Sequence, residues 1–474
     1  MSDSCAPRAE GSYDLAVIGA GSAGFSAAIT AAEQGASVAL IGHGTIGGTC
    51  VNVGCVPSKT MLRAAEAVHG ADRAGRFPGL AGEAHVSDWR ALVAAKDDLV
   101  WTLRQEKYVD LLRDYKGISY LEGTARLNGT GVAVDGLAIP AGKTIIATGA
   151  SPAIPGIPGI ETVPYLTSKN ALELEDLPRS LLVVGSGYIG CELAQMFARM
   201  GTAVTLVTRS RLLPEAEPEV AERLSRYLAD EGITVRSGLS YSSIVHSDGE
   251  ILLSIDADGR SETLAADRVL VATGRTPNTA GLGLAEAGVE VAANGGIVVD
   301  SRMRTTRAGV YAAGDVTGRD QFVYMAAYGA KLASANALNG DSLVYDDTAM
   351  PWVVFTDPQV AGVGLSERQA RAAGFETKIS VVPLDLVPRA LAARDTRGLI
   401  KLVADVESDR LLGAQILAPE GADSIQTIVL AIRFGMTTKE LGETIFPYLT
   451  TVEGLKLAAQ GFAKDVAKLS CCAG

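Results

Sequence analysis

The stretch GGTCVNVGCVPSK, Gly47 to Lys59, sets two cysteines five positions apart, Cys50 and Cys55, among glycines. Pro57 suits a first helical turn, because it has no N–H to leave unbonded there. Thr60, Met61, Leu62, Ala64, Ala65 and Ala67 continue a helix-forming run. The pattern predicts a helix that begins just after Cys55. A cysteine at a helix N-terminus has its thiolate stabilised by exposed backbone N–H groups and the positive end of the dipole. Lys59 adds a positive charge nearby. The combination describes a reactive thiol that pairs with its neighbour and is reduced again. Two buried structural cysteines, or half of a zinc site, are the alternatives. A zinc site would want a second Cys/His pair at comparable spacing, and none stands nearby.

Upstream, the apolar run Tyr13 to Ile18 leads into Gly19-Ala20-Gly21-Ser22-Ala23-Gly24. A helix over about Phe25 to Glu33 and a strand over Ser37 to Ile41 follow. Strand, GxGxxG, helix and strand in this order form the dinucleotide fingerprint in its required context. Gly19 permits the tight turn, Gly21 lets backbone approach a pyrophosphate, and Gly24 lets helix and strand pack closely. The helix N-terminus supplies the anion site. One feature departs from the pattern. The second strand should end on an acid that bonds the ribose, but Gly42 stands there, followed by His43 and Gly44. Backbone groups or a residue elsewhere must hold the ribose, and His43 reads as a solvated loop residue.

The fingerprint recurs. Leu181 to Val184 is a strand, Gly185-Ser186-Gly187-Tyr188-Ile189-Gly190 the turn, a helix runs to about Met200, and Ala203 to Thr208 is the next strand. Two units imply two dinucleotides. The second strand ends in Thr208-Arg209-Ser210-Arg211, without an acid. A carboxylate there would repel a 2′-phosphate, whereas arginines clamp one, so NADPH is favoured over NADH. A solvated basic turn is the plainer alternative. Between the units, Ser87 to Leu112 reads as helical scaffold. Lys143 to Thr148 is apolar and ends in Thr148-Gly149. Pro152, Pro155 and Pro158 then mark a boundary. Val269 to Thr273 repeats the apolar strand and ends at Gly274. Thr306 to Asp315 reads as a strand that delivers Asp315 to a turn at Gly314.

Composition agrees with a large enzyme. The chain has 474 residues, 47% hydrophobic, with 53 glycines, enough for several domains. Lys+Arg number 42 against 54 Asp+Glu, a net charge of −12, which suits no nucleic-acid partner. No apolar run is long enough to span a bilayer, so no membrane association is expected. Met1 to Ser12 lack the apolar stretch of a signal peptide, and a cytoplasmic location is expected. Six cysteines in a chain this long are no disulfide scaffold and point to redox or metal chemistry.

Together these segments resemble the flavin disulfide reductases, the family of glutathione reductase and lipoamide dehydrogenase. The likeness rests on Gly19, Gly21 and Gly24, the Cys50–Cys55 stretch, the second fingerprint and the Gly314-Asp315 turn. It implies an α/β fold with two Rossmann-like dinucleotide-binding domains, for FAD and NADPH, and a C-terminal α+β dimerisation domain. The expected division is 1–152 for FAD, 153–275 for NADPH, 276–344 for a central segment that completes the FAD domain, and 345–474 for the interface domain. FAD is expected on Gly19, Gly21, Ser22, Gly24, Gly48, Thr49, Lys59, Thr148, Gly149, Gly314 and Asp315. NADPH is expected on Gly185, Gly187, Gly190, Arg209, Arg211 and Gly274. By the same resemblance Cys55 is the thiolate against the flavin and Cys50 the interchange thiol. Lys59 and Glu192 match the pair beside the flavin, and Tyr188 the tyrosine that gates the nicotinamide pocket.

The end of the chain separates branches of this family. Relatives that reduce organic disulfides carry a His-Pro-Thr-x-x-Glu motif whose histidine protonates the leaving thiolate. Here the matching stretch is Tyr448-Leu449-Thr450-Thr451-Val452-Glu453. Glu453 is kept, tyrosine replaces histidine, and all four histidines (His43, His69, His85 and His246) lie upstream. The chain ends in Cys471-Cys472-Ala473-Gly474. Neighbouring cysteines have Cα atoms only about 3.8 Å apart, poor disulfide geometry, and suit capture of a soft metal ion. The tail and the tyrosine together are similar to the mercuric reductases. That resemblance implies NADPH-dependent reduction of Hg(II) to Hg(0) through Cys50 and Cys55. Hg(II) is then delivered as a thiol complex by Cys471 and Cys472, Tyr188 and Tyr448 line the metal site, and a homodimer completes each active site. The family's N-terminal module with a Gly-Met-Thr-Cys-x-x-Cys motif has no counterpart before Gly19, so a catalytic core is expected. An NADPH-dependent dithiol/disulfide reductase and a mercury-binding protein without turnover are the rival readings.

Overall fold

The computed structural model describes residues 12–129 and 131–468. The tail pair Cys471 and Cys472, and Cys5, lie outside the described residues. Two compact units emerge: Met1–Ser58, Val93–Ala153 and Gly274–Asp346 form one, and Lys59–Leu92, Ile154–Thr273 and Asp347–Gly474 the other.

The first unit is built on a parallel sheet. Strands β1 (Tyr13–Ile18), β2 (Val38–Gly42) and β3 (Ile118–Glu122) lie side by side, and Ala141–Ile146 and Val310–Ala312 extend the sheet beyond β1. Their near-continuous apolar runs suit strands buried on both faces; Leu15, Ala16, Val17, Leu40 and Ile145 are fully buried. Helix α1 (Ser22–Glu33) follows β1, starting three residues earlier than its apolar pattern suggests, because Gly21 caps it in an extended conformation. It packs on the helix Val323–Asn339, and the Ser334 hydroxyl donates to the Ala27 carbonyl at 3.0 Å. Small side chains, mostly alanine, let these two helices approach.

The second unit holds another parallel sheet, in the order Thr234–Arg236, Ala203–Val207, Ser180–Val184, Arg268–Val271. Its core includes Leu182, Val184, Val207, Ile244, Leu253 and Val269. An antiparallel five-stranded sheet runs Pro351–Val354, Gln359–Gly364, Leu411–Ala418, Leu399–Asp405, Thr377–Pro383. The strand Leu399–Asp405 is buried throughout. That burial includes Lys401, whose ammonium is paired with Glu217 at 3.0 Å, Glu219 at 2.7 Å and Glu367 at 2.9 Å. Among the described residues, no helix is long and apolar enough to cross a membrane.

Candidate functional site

The cysteine stretch forms two helices rather than the single one its sequence suggests. Helix α2 (Gly48–Val53) carries Cys50, and helix α3 (Cys55–Asp72) begins at Cys55 itself, with Pro57 in its first turn. Gly54 joins them where no other residue fits, since a Cβ there would lie 2.9 Å from the Thr49 carbonyl oxygen and 3.3 Å from Cys50 Cα. The chain thus folds back and brings the backbone before Cys55 against Cys50. Both cysteines are half-buried. Asn52 fastens the segment by donating to the carbonyls of Ile46 at 2.9 Å and Gly48 at 2.8 Å.

Glycine meets glycine where this segment docks on the first fingerprint. Gly47 N–H donates to the Ala20 carbonyl at 2.9 Å. Gly48, at φ +67°, comes so close that a Cβ would stand 2.6 Å from Gly21 Cα. The turn preceding α1 is equally tight: a Cβ on Gly19 would meet the Ala147 carbonyl oxygen at 2.2 Å, and one on Gly24 the Gly19 carbonyl oxygen at 1.7 Å. A Cβ built on Gly314 would lie only 3.1 Å from Ala23 Cβ, a close approach that brings Asp315 to the same turn. Asp315 pairs with Arg275 at 3.4 Å. Burial pushes its carboxyl pKa up, and Arg275 offsets only part of that. The Thr148 hydroxyl donates to the Asn278 carbonyl at 2.8 Å and fixes the loop at Gly149.

The region read as plain scaffold contributes to the site. Helix α4 (Trp89–Arg104) runs into a wider π turn, Gln105–Val109, a feature often found at functional positions. The turn projects Tyr108 onto the cysteine segment and α1. Its ring meets Phe25 edge-on at 4.8 Å, and its hydroxyl lies 3.3 Å from Ser22 Oγ. Burial raises the Tyr108 pKa, and the nearby charges of Cys50 and Cys55 add to the rise. Arg104 donates to Asn52 at 3.1 Å. Neither residue had a sequence signal, because a lone aromatic or arginine in a helical run is ordinary.

In the second unit Lys59 and Glu192 form an ion pair at 2.7 Å, although 133 positions separate them. Glu192 is buried, accepts a second bond from Phe355 N–H at 2.9 Å, and Lys59 sits 4.7 Å above the Phe355 ring. Tyr188 stacks on Trp352 at 5.7 Å with the planes 8° apart. Burial pushes the Tyr188 phenol up to about 12, with Glu215 adding to it. Trp352 lies on the distant strand Pro351–Val354 and Phe355 just after it, so both are invisible to any local pattern. Cys191 is fully buried, donates to the Ser186 carbonyl at 3.4 Å and has its thiol pKa pushed up by burial, which makes it inert.

The second glycine turn repeats the first. A Cβ on Gly185 would meet the Ala272 carbonyl oxygen at 2.4 Å and one on Gly190 the Gly185 carbonyl oxygen at 2.0 Å, whereas Gly187 has nothing within 4 Å. Of the two arginines expected as a phosphate clamp, Arg209 is exposed and forms no hydrogen bond among the described residues. Arg211 instead turns back to donate to the carbonyls of Pro214, at 2.8 Å, and Ala216. Gly274 holds φ +109° with open space beside it. Near the end of the chain, Glu453 is buried and accepts from Leu449 N–H at 3.0 Å, while Tyr448 is 48% exposed. No group of three His, Cys, Asp or Glu is gathered for a metal among the described residues.

Two glycine turns, each leading into a helix capped by a glycine that makes no side-chain cap hydrogen bond, fit two dinucleotides. The sequence pattern of the pyridine nucleotide-disulphide oxidoreductases covers residues 13–332, and that of their dimerisation domain residues 350–459. The chain belongs to this family of FAD- and NADPH-dependent oxidoreductases, and within it to the branch of the mercuric reductases. It is 48% identical over 465 residues to a mercuric reductase of Bacillus cereus, covering 98% of this chain and 73% of that one. It is 46% identical over 478 residues to one from Streptomyces lividans, covering 98% of this chain and 100% of the relative. A solved HOCl-induced flavoprotein disulfide reductase of Escherichia coli matches with a TM-score of 0.84 at 32% identity, over 94% of this chain and 99% of that one.

Proposed function

We propose that the chain reduces Hg(II) to Hg(0), with NADPH as the reductant and Cys50 and Cys55 as the inner ligands of the ion. The observation that carries this reading is the docking of the cysteine stretch, glycine against glycine, on the first dinucleotide turn. Bound to the two turns, FAD and NADPH supply a two-electron reductant. Gly19, Gly21, Ser22, Gly24, Gly48, Thr49, Thr148, Gly149, Gly314 and Asp315 hold the first, and Gly185, Gly187, Gly190, Gly274 and Arg209 the second. The four-part division at residues 152, 275 and 344 belongs to the same proposal.

The protein's own groups then have distinct tasks. Thiolates are soft ligands and match Hg(II) better than any oxygen or nitrogen donor. Cys55, at the N-terminus of an 18-residue helix, gains from the helix dipole in its thiolate form. Glu192 fixes the Lys59 ammonium, which places a positive charge where electron density builds. Tyr188 stays protonated at neutral pH and offers a hydroxyl, with Tyr448, to the bound ion. Cys471 and Cys472 collect Hg(II) from solvent thiols, and each transfer needs an incoming thiolate within reach. A homodimer is part of the proposal: Ile445, Tyr448 and Leu449 are all exposed within one short stretch, and such a run of apolar side chains suits a face covered by a second copy.

The test is NADPH oxidation with Hg(II) presented as a thiol complex, with volatile mercury trapped from the headspace. Loss of Hg(0) matched one-to-one by NADPH consumption is expected. Turnover of glutathione disulfide or lipoamide in place of Hg(II) would establish the dithiol reductase, and binding of Hg(II) without NADPH consumption the sequestering protein.

A further inference from the structure

Strand β2 ends at Gly42, where a dinucleotide-binding strand commonly carries the acid that bonds ribose hydroxyls. Gly42 is buried, yet its φ lies outside the left-handed range, so its backbone would accept any residue. Space is what forbids one. A Cβ at this position would stand 2.7 Å from Ala20 Cβ and 3.0 Å from the Tyr120 hydroxyl. Ala20 belongs to the first glycine turn. Tyr120 reaches the same point from β3, which pairs in parallel with β2 so that Leu40 faces Tyr120 and Gly42 faces Glu122. Leu40 Cδ1 lies 3.5 Å from a Cβ built on Gly24, so this face of the sheet is the one that carries α1. The phenol therefore fills the space that a side chain at position 42 would take. Among the described residues nothing hydrogen-bonds its hydroxyl.

We infer that the Tyr120 hydroxyl replaces the missing carboxylate and hydrogen-bonds an adenosine ribose hydroxyl of FAD. The inference rests on FAD occupying the first fingerprint. Burial, and then the charge of Glu122, hold the Tyr120 pKa above its ordinary value, so the group is a neutral phenol at physiological pH. It has one O–H to donate and lone pairs to accept. A carboxylate would accept from both ribose hydroxyls, whereas the phenol makes one strong contact. Glu122 is the rival group, since it stands opposite Gly42 in the register, but it is exposed.

The test uses the full-length apoprotein titrated with FAD and with FAD analogues lacking the adenosine 2′ or 3′ hydroxyl, read by flavin fluorescence. One neutral hydrogen bond predicts that the wild type binds FAD about five- to tenfold more tightly than at least one analogue. Tyr120→Phe keeps the ring and should bind all three ligands alike, about five- to tenfold more weakly than the wild type binds FAD. Glu122→Gln should discriminate as the wild type does. A Tyr120→Phe protein that still discriminates overturns the inference. So does a wild type indifferent to both analogues, or a Glu122→Gln protein that loses discrimination, and these two outcomes decide even if Tyr120→Phe fails to fold. Apoprotein that takes up no FAD at all would instead overturn the cofactor's assignment to this turn, and the inference with it.

Discussion

The two glycine turns share a backbone plan and differ in everything laid over it. In the first, the middle glycine is covered: Gly48 of the cysteine segment presses on Gly21. In the second, the middle glycine, Gly187, faces open space. The helices behind them are anchored by opposite means. Helix α1 is held by alanine packing and by hydroxyl contacts, Ser334 with the Ala27 carbonyl and Tyr108 with Ser22. The helix Tyr188–Arg199 ends on a buried guanidinium, Arg199, which donates to Glu231 at 2.7 and 2.8 Å and to Asp357 at 2.9 Å. The difference teaches that one fingerprint can serve a cofactor built into the protein or a nucleotide that comes and goes. What covers the turn decides which.

The largest effect is expected from forcing the covered turn apart. Gly48→Val adds about 1–3 kcal/mol of overpacking against Gly21 and about 1–3 kcal/mol of strain at a positive φ. The purified protein should lack FAD and its yellow absorbance, while a mutation on the open turn should leave the flavin in place. A Gly48→Val protein that retains stoichiometric FAD would erase the distinction between the turns.

Next comes the electrostatic anchor. Arg199→Met leaves Glu231 and Asp357 to Arg397 alone, at 3.4 and 2.9 Å, and should cost less than the about 3–5 kcal/mol of a wholly unpaired buried charge, read near pH 7 in a denaturant titration. Burial raises the Asp357 pKa, but Arg397 and Arg199 outweigh it and hold the carboxyl below its usual range. A depressed carboxylate stabilises the fold above its unfolded pKa, about 4, and loses that contribution as pH falls through the folded value. Removing Arg199 relieves part of the depression and leaves the share that Arg397 supplies, so the gap between wild type and variant should narrow below about pH 4. A gap that stays constant from pH 7 to pH 3 would show that the anchor is not ionic.

Smaller effects separate the two arginines after the second strand. Arg209→Ala should raise the NADPH KM about tenfold or more through loss of a charge-assisted bond to the 2′-phosphate, and leave the NADH KM unchanged. Arg211→Ala should do less, because that guanidinium is already engaged with the carbonyls of Pro214 and Ala216. Equal effects on NADPH and NADH would show that neither arginine reads the phosphate. The smallest change is Gly187→Ala. A methyl fits the empty turn, so melting temperature and FAD content should stay as in the wild type, and only the NADPH KM should rise, about fivefold for a pyrophosphate pushed off its backbone contact.

Much of the frame was legible because its signals are local. The spacing of Gly19, Gly21 and Gly24 between an apolar strand and an alanine-rich helix is a complete statement within about twenty residues. The same holds for Gly185, Gly187 and Gly190. The cysteine stretch was legible as chemistry but not as shape, since Cys50 sits on a six-residue helix too short to have a periodicity. Contacts across long sequence distances were not legible from spacing. The Lys59–Glu192 pair followed from resemblance alone, and the aromatic partners Trp352 and Phe355 were missed. Tyr108 and Arg104 were hidden because they face the site from a segment whose composition is that of any amphipathic helix. The engagement of Arg211 with the carbonyls of Pro214 and Ala216 was not legible, because those carbonyls lie in a turn with no motif.

The contact of Gly48 with Gly21 has a practical side. The cysteine segment and the flavin turn are pressed together with no room for a methyl, so unseating the cysteine segment uncovers the flavin turn. The visible absorbance of a preparation therefore serves as a gauge of its cysteine segment. A batch whose cysteine segment has been unseated should lose its bound flavin as well, and free flavin should restore the colour only where that segment is in place.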